Sequence, residues 1–230
     1  MLVNKEYVPR HKSGFVLCHW LNGISFLMLF FTALPLYSPD TFGFLYNAFG
    51  AKTLQYAHRF FAVIFIVTPI IGLFIAREGY STLFGQVLSF GKKDMTFLVK
   101  FPLELIGKDP KMPKQGFYNG GEKMNIALQM ALWAVLVGSG LILWLGSGII
   151  DNSIRAWMIP VHSIAAGFGF AAAIGHIYLA VGVNPDSLQG MKDGTVKASY
   201  AAHHHGAWID ELVAEGKLTK KELDEVVHHS

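Results

Sequence analysis

The chain has 230 residues, a mean hydropathy of +0.38 and a net charge of only +3. This average is too apolar for an ordinary soluble domain, and no nucleic-acid partner is predicted. The single cysteine, Cys18, excludes an intrachain disulfide, a C-x-x-C-H haem attachment site and an iron–sulfur cluster held by this chain alone. Any redox cofactor is therefore expected to be held non-covalently or supplied by a partner.

Apolar residues are concentrated in four stretches, each long enough to cross a bilayer, which takes about 20 largely apolar residues. These predicted spans cover residues 14–36, 53–76, 123–146 and 157–183. The first is too long for a secretory signal, and no small-residue cleavage site follows it. The sequence therefore predicts an all-α integral membrane protein, with a four-helix bundle in residues 1–183 and a cytoplasmic tail in residues 184–230.

Basic side chains are distributed unevenly among the polar segments. They are frequent in the amino-terminal segment, which includes Lys5 and Arg10, in the middle loop at 77–122 and in the tail. The other two connections hold only Lys52 and Arg155. Because basic residues favour cytoplasmic loops, both termini and the middle loop are predicted to lie inside. The expected location is the bacterial inner (cytoplasmic) membrane, multi-pass, with both termini in the cytoplasm.

Two polar segments carry helix signals. In the middle loop, the apolar run at 96–106 is interrupted by Pro102 and is too short to span a membrane. It is predicted to be a broken helix at the membrane interface, with a plain linker as the alternative. In the tail, Thr219 and Glu222 have the spacing of a capping box ahead of a short polar helix.

Four of the ten histidines, His19, His58, His162 and His176, lie inside predicted spans. An ionisable residue at membrane depth is costly and usually faces a partner inside the bundle. For one such histidine alone, an interhelical hydrogen bond is the simpler explanation. The predicted orientation places His58 and His162 in the outer half of the membrane (the outer pair), and His19 and His176 in the inner half (the inner pair).

The spacing along the fourth span separates the two pairs. His162 and His176 are fourteen residues apart, which at the helical rise is roughly 21 Å and close to four whole turns. Both rings then project from nearly the same face, too far apart to bind one metal ion. Two histidines from different helices match the ligands of a six-coordinate b-type haem, whose task is electron transfer rather than substrate chemistry. A zinc site would require three or four ligands.

Neighbouring residues are consistent with a large planar cofactor. The small residues between His162 and His176 leave room beside the backbone, although they also allow close helix packing. Arg59, next to His58, is predicted either to pair with a haem propionate or to anchor its helix at the interface. Cys18 is interpreted as a packing residue.

The chain resembles a known family in these features and in two further segments. The arrangement of four spans, with one histidine on each of the first two and two on the fourth, is similar to the gamma subunit (cytochrome b556) of respiratory formate dehydrogenase. That subunit belongs to a wider family of di-haem cytochrome b subunits of formate dehydrogenase, thiosulfate reductase and nickel–iron hydrogenase. The segments FYNGGEKMN at 117–125 and GTVKASYAAHHHGAW at 194–208 resemble the formate dehydrogenase branch.

The resemblance implies two haems b, with the four histidines as axial iron ligands, and a menaquinone (or ubiquinone) site near the inner haem. By position, Asn119 and Gly121 are then quinone-binding residues, and Gln129 in the third span is a further candidate. An asparagine amide and a free backbone N–H can both donate to a quinone carbonyl. Without the resemblance, the segment at 118–121 is equally well a turn that opens the third helix.

The function predicted is that of an electron-transfer subunit in a respiratory oxidoreductase complex, with no catalytic residue on this chain. Electrons would arrive from an iron–sulfur subunit on the outer side and reduce quinone near the cytoplasmic face, while a catalytic subunit oxidises the substrate. The alternatives are a cytochrome b subunit of a hydrogenase or of a thiosulfate or other reductase, a proton-coupled transporter with a histidine relay, and a haem-free membrane anchor. His203–His205 are interpreted as tail residues at the membrane surface or at a partner interface.

Overall fold

The structure, a computed structural model, describes residues 2–3 and 6–228. Lys5, one of the basic residues used for orientation, lies outside the described residues. Within these described residues, four helices are long and apolar enough to cross a membrane. At 25 residues, the first of them is about 38 Å long, more than the roughly 30 Å of a hydrocarbon core. The predicted all-α membrane bundle is confirmed.

The four long helices lie close to the predicted spans. They are α1 (Ser13–Tyr37), α4 (Ala51–Ile75), α7 (Gly120–Leu145) and α8 (Asn152–Tyr178), the last continued by a π-helical turn, Leu179–Val183. Shorter helices fill the connections. These are α2 (Pro39–Phe42), α3 (Phe44–Phe49), α5 (Arg77–Leu88) and α6 (Lys92–Leu105).

Helix α8 begins earlier than predicted, because the prediction used the start of the apolar stretch and a polar helix cap does not contribute to hydropathy. The helix begins at Asn152 rather than at Trp157. Oδ1 of Asp151 accepts the backbone N–H of Ser153 at 2.8 Å, which satisfies one of the amide groups that a helix start leaves unpaired. The first turn is therefore helical although three of its first four residues are polar.

The middle loop is more helical than predicted. Residues 96–105 of the run expected to be a broken helix lie in the continuous helix α6, which contains Pro102. A proline removes one backbone donor, and here the helix ends soon afterwards at Leu105, so few hydrogen bonds are disturbed. At the other end, the backbone N–H of Gly91 donates to Asp94 at 2.8 Å and fixes the start of α6.

The chain divides into two compact units. The membrane unit comprises Leu17–Arg77 and Gln129–Gly175, and the terminal unit comprises Met1–Val16, Glu78–Leu128 and His176–Ser230. The boundary predicted at residue 183 stays a prediction.

The tail folds with the amino-terminal segment inside the terminal unit. Strand β1 (Tyr7–Pro9) pairs antiparallel with β2 (Thr195–Lys197), with Val8 opposite Val196. This small sheet was not predicted. Around it lie α9 (Asp186–Gln189), α10 (Ala198–His204), α11 (Gly206–Ala214) and α12 (Lys220–His228). Their shared apolar core consists of Val8, Val196, Ala198, Ala201, Trp208, Ile209 and Leu218.

The capping box predicted for α12 is confirmed. The backbone N–H of Thr219 donates to Oε2 of Glu222 at 2.9 Å, and the backbone N–H of Glu222 donates to Oγ1 of Thr219 at 3.2 Å. The carboxylate also accepts the Thr219 hydroxyl at 2.7 Å. The hydrogen bonds that the carboxylate accepts from the hydroxyl and from the backbone N–H of Thr219 lower the pKa of Glu222.

Candidate functional site

The two histidines of the outer pair lie together in the membrane unit. His58 on α4 and His162 on α8 have ring centroids 6.5 Å apart, with an angle of 63° between the ring planes. Two imidazoles that bind one metal from opposite sides, each at a metal–nitrogen distance of about 2 Å, have centroids roughly 6 Å apart. The spacing of these rings therefore fits a single metal between them.

A hydroxyl group from a neighbouring helix holds one nitrogen of each ring. Oγ1 of Thr32 on α1 lies 2.9 Å from Nδ1 of His58, and Oγ of Ser139 on α7 lies 2.9 Å from Nδ1 of His162. Each hydroxyl also donates to a backbone carbonyl one turn back in its own helix, at 2.9 Å and 2.6 Å respectively. A hydroxyl that has donated its hydrogen can only accept one from the ring.

With each hydroxyl hydrogen on its backbone carbonyl, the matching tautomer of both rings carries its hydrogen on Nδ1 and leaves the Nε2 lone pair for a metal. This is the usual arrangement in protein metal sites, where a hydrogen bond to the second ring nitrogen orients the ligand. Together with the ring spacing, it fits a b-type haem held by His58 and His162.

Gly140 on α7 leaves the space that the ring of His162 occupies. A Cβ atom at this position would stand 3.2 Å from Cε1 of His162, tighter than most real contacts. Gly138, on the same helix, has no such neighbour within 4 Å. Glycine is therefore needed at 140 for close approach and not for helix geometry.

The inner pair is divided between the two units. His19 lies on α1 in the membrane unit, where its ring meets Trp20 edge-on at 5.6 Å. The adjacent Cys18 is buried, as expected of a packing residue. His176 lies in the last turns of α8 and belongs to the terminal unit. The pairing of His19 with His176 stays a prediction.

Arg59 has an aromatic neighbour in the membrane unit. Its guanidinium carbon lies 5.6 Å from the centroid of the Trp144 ring, a distance at which cation–π attraction is favourable. This contact suits an arginine that anchors its helix, and the predicted bond to a haem propionate stays a prediction.

Asn119 and Glu122 form a capping box at the start of α7. The backbone N–H of Asn119 donates to Oε2 of Glu122 at 2.8 Å, and the backbone N–H of Glu122 donates to Oδ1 of Asn119 at 2.9 Å. The turn predicted to open the third helix is therefore present. The cap uses the amide oxygen of Asn119, which leaves its NH₂ group as a donor for another molecule.

The other two predicted quinone residues stand in different surroundings. Gly121 follows in the first turn of α7, half-buried, beside the Asn119 amide. Gly120 between them is buried, and a Cβ there would come within 2.5 Å of the Asp94 backbone oxygen. Gln129 belongs to the membrane unit, and its role stays a prediction.

A buried charged cluster adjoins this cap. Nη2 of Arg10 donates to both carboxylate oxygens of Glu122 at 3.1 Å and to the carbonyl of Phe117 at 2.6 Å. The side chain of Arg10 is 3% exposed and that of Glu122 is 29% exposed. His205 is fully buried, with Nδ1 3.0 Å from the carbonyl oxygen of Gly116 and Nε2 3.9 Å from Oε2 of Glu122.

The protonation state of His205 follows from this environment. A carbonyl only accepts hydrogen bonds, so Nδ1 carries the hydrogen and Nε2 presents a lone pair. Burial lowers the pKa of His205 to about 4, although the Glu122 carboxylate works in the opposite direction. The ring is therefore neutral at pH 7. Among the described residues, Nε2 has no hydrogen-bond partner.

The interpretation of the histidine tract was wrong for His205. A position at the membrane surface or partner interface requires exposure, whereas this ring is enclosed in the core of the terminal unit. His203 is exposed, and His204 packs against Tyr200 with ring centroids 4.5 Å apart. A ring nitrogen of His203, a ring nitrogen of His204 and a carboxylate oxygen of Glu104 lie within 4.8 Å of one another. Sequence reasoning did not find the cluster of Arg10, Glu122 and His205, and only the asparagine–glutamate spacing of the cap gave a signal.

Comparison with known proteins accounts for this arrangement of helices and histidines. Residues 10–194 match the prokaryotic cytochrome b561 family. The chain is 27% identical over 228 residues to the cytochrome b556(Fdn) subunit of the nitrate-inducible formate dehydrogenase of Escherichia coli (strain K12), covering 98% of this chain and 97% of that relative. It is 28% identical over 225 residues to a formate dehydrogenase cytochrome b556 subunit of Haemophilus influenzae, covering 96% and 88% respectively. The match extends over most of the chain, which therefore belongs to the prokaryotic cytochrome b561 family.

Proposed function

We propose that this chain is the membrane di-haem cytochrome b subunit of a formate dehydrogenase-type respiratory complex. It accepts electrons from an iron–sulfur partner on the outer side of the bacterial inner membrane and delivers them to quinone near the cytoplasmic face. The observation that carries this proposal is the geometry of His58 and His162, with centroids 6.5 Å apart and both Nδ1 atoms held by hydroxyls. The two formate dehydrogenase relatives favour formate over the hydrogenase and thiosulfate alternatives.

Four histidines would hold the two cofactors. His58 and His162 would bind the outer haem through Nε2, and His19 and His176 would bind the inner one. When bound, each haem would supply an iron that exchanges one electron. Arg59 would pair with a propionate of the outer haem.

Quinone would bind beside the start of α7. Asn119 would donate through its side-chain NH₂ group, and Gly121 would donate through its backbone N–H in the first helical turn, where amide groups lack intrahelical partners. Gln129 is a further candidate for binding quinone. The acceptor is menaquinone or ubiquinone, and both present carbonyl oxygens to these donors.

The predicted orientation assigns the two proposed sites to opposite faces of the membrane. The basic residues of the amino-terminal segment, middle loop and tail favour the cytoplasmic side, which would place the start of α7 there and the outer pair opposite. Protons for quinone would then come from the cytoplasm, and the catalytic subunit would oxidise formate on the other side.

The test is haem content and its dependence on the outer pair. A pyridine haemochrome assay on the purified full chain should give two haems per chain, and His58→Ala or His162→Ala should each remove the same one while leaving the other spectrum intact. His203→Ala, an exposed histidine outside the spans, is the matched control and should keep both. A chain without haem would favour the transporter or anchor alternatives, and loss of both haems or of neither would contradict the pairing.

A further inference from the structure

The buried cluster in the terminal unit contains none of the four histidines proposed to bind haem. Arg10, Glu122 and His205 lie on three separate segments, the amino-terminal arm, the start of α7 and the junction of α10 with α11. Burying an arginine, a carboxylate and an imidazole together is costly unless their charges and hydrogen bonds are matched. Arg10 and Glu122 are matched by two bonds of 3.1 Å, whereas Nε2 of His205 faces the carboxylate from 3.9 Å as an unprotonated nitrogen.

The Nε2 lone pair of His205 and the Glu122 carboxylate repel each other, and one added proton on Nε2 would make the interaction attractive. A proton on Nε2 would convert the repulsion of a lone pair by a carboxylate into a charge-assisted hydrogen bond. The other charged and titratable groups that face His205 are Arg10 from the amino-terminal arm and His204 from α10. Both oppose a positive charge on the ring, whereas Glu122 favours it. Tyr200 of α10 also stands close, with ring centroids 5.8 Å apart.

The cluster is joined directly to the proposed quinone residues. Oε2 of Glu122, the oxygen nearest His205, is the same atom that accepts the backbone N–H of Asn119 at 2.8 Å. Gly121 precedes Glu122 in the chain. With its side chain 29% exposed, Glu122 is the more open end of the pair, whereas His205 is completely enclosed.

We propose that His205 and Glu122 form a proton-transfer pair that serves quinone at Asn119 and Gly121. This rests on the proposed function. Reduction of one quinone to quinol consumes two electrons and two protons, and the pair delivers one of these protons. Solvent at the exposed edge of Glu122 first supplies a proton, which the carboxylate passes to Nε2 of His205. As quinone takes up electrons that a bound haem would supply, the N–H bond at Nε2 breaks and an O–H bond forms at Glu122, and this O–H bond breaks in turn as one forms at a quinone oxygen. His205 is then neutral again, and the next proton from solvent reaches it by the same path.

The neutral resting state of His205 suits this role. Negative charge arriving at the quinone raises the proton affinity of nearby basic groups, so the ring takes up its proton when the site is being reduced. Arg10 keeps Glu122 ionised between turnovers and thereby keeps the carboxylate able to accept and pass on a proton. A positioned proton carrier typically contributes a factor on the order of 10² to 10⁴ in rate.

The test compares oxidants that differ in their need for protons. The full chain with its haems is reduced by dithionite and mixed anaerobically with menadione, which takes up protons, or with ferricyanide, which does not. In His205→Gln, oxidation of the haem by menadione should be slower by roughly 10²-fold at pH 8, with a smaller difference at pH 6, where protons are more abundant. Oxidation by ferricyanide should be unchanged. Glutamine can still donate to the Gly116 carbonyl, which protects the fold.

Control variants separate proton transfer from structural damage. His203→Gln changes an exposed histidine two residues away and should match the wild type with both oxidants. Glu122→Gln should resemble His205→Gln, provided that its haem content is normal. Equal slowing by both oxidants, or a menadione rate with the wild-type pH profile, would overturn the proton-transfer role. If ferricyanide oxidises the wild-type haems and menadione does not, then the proposed quinone function is wrong, and the proton-transfer role of His205 and Glu122 is wrong with it.

Discussion

Ser139 offers the sharpest test of how the outer pair is prepared for a metal. Its hydroxyl is buried on α7 and lies 2.9 Å from Nδ1 of His162. Ser139→Ala removes the acceptor without adding volume, and the buried position prevents bulk water from replacing it. An unsatisfied buried polar group costs about 1–3 kcal/mol, and loss of such an outer partner typically weakens metal binding about 10- to 100-fold.

The expected result is a weaker and differently tuned outer haem. Transfer of haem from the purified chain to excess apomyoglobin should show one of the two haems leaving about 10- to 100-fold faster. The reduction potential of that haem should also shift, because the hydrogen bond at Nδ1 sets the basicity of the ligand nitrogen. The second haem should keep its potential. Ser139→Thr should restore both measurements, since threonine retains the hydroxyl.

Ser25→Ala is the matched control. Ser25 is equally buried in the same unit, and its hydroxyl donates to a carbonyl one turn back at 2.6 Å. In the described part of the chain it makes no hydrogen bond to a histidine ring. Both variants therefore lose the same helix-backed hydroxyl, but only Ser139 serves a histidine ligand. If Ser139→Ala and Ser25→Ala release haem at the same rate and keep the same potentials, then the tautomer argument for the outer pair is refuted.

Three further changes have expected outcomes that follow from single contacts. Gly140→Val should displace the ring of His162 and remove one haem, measured by the pyridine haemochrome assay. Gly138→Val should keep both haems, because a Cβ atom at that position has open space around it. Acid should destabilise the terminal unit between about pH 6.5 and 4, because burial lowers the pKa of His205 to about 4 and the unfolded residue takes up a proton in this range that the folded one does not. The free energy of unfolding should fall by roughly 3 kcal/mol over this range, measured by circular dichroism. This fall should be smaller in His205→Gln. Asp94→Asn removes the carboxylate that lies 3.1 Å from the buried Nζ of Lys123. The free energy of unfolding should fall by about 3–5 kcal/mol, measured by chemical unfolding. Full stability in this variant would argue against a buried ion pair.

The membrane helices were predictable because their signal is local. Each span must bury about 20 apolar residues in lipid, and this requirement is visible in the sequence without knowledge of neighbours. The helix starts were less accurate because caps are polar, as Asp151 illustrates at the start of α8. The outer pair could be anticipated from topology alone, since orientation and depth restrict which histidines can meet.

The surroundings of the histidines could not be anticipated in the same way. Thr32 and Ser139 are ordinary small polar residues in apolar spans, and only the packing of α1 and α7 shows which ring each one reaches. The terminal unit was harder still, because its core joins β1 to β2 across nearly the whole chain. Arg10 and Glu122 are separated by 112 positions, and no periodic pattern reports such a contact.

The histidines of the outer pair and His205 share one structural device with different consequences. In each ring, Nδ1 is committed to a hydrogen bond, with Thr32 or Ser139 in the membrane unit and with the Gly116 carbonyl in the terminal unit. That bond leaves Nε2 as the reactive atom. Where two such nitrogens belong to rings 6.5 Å apart among apolar helices, a metal would satisfy both. Where one faces a carboxylate held by an arginine, a proton satisfies it instead. The chemistry of each histidine therefore depends on the group that lies next to Nε2, because the hydrogen bond at Nδ1 leaves Nε2 as the nitrogen with a lone pair.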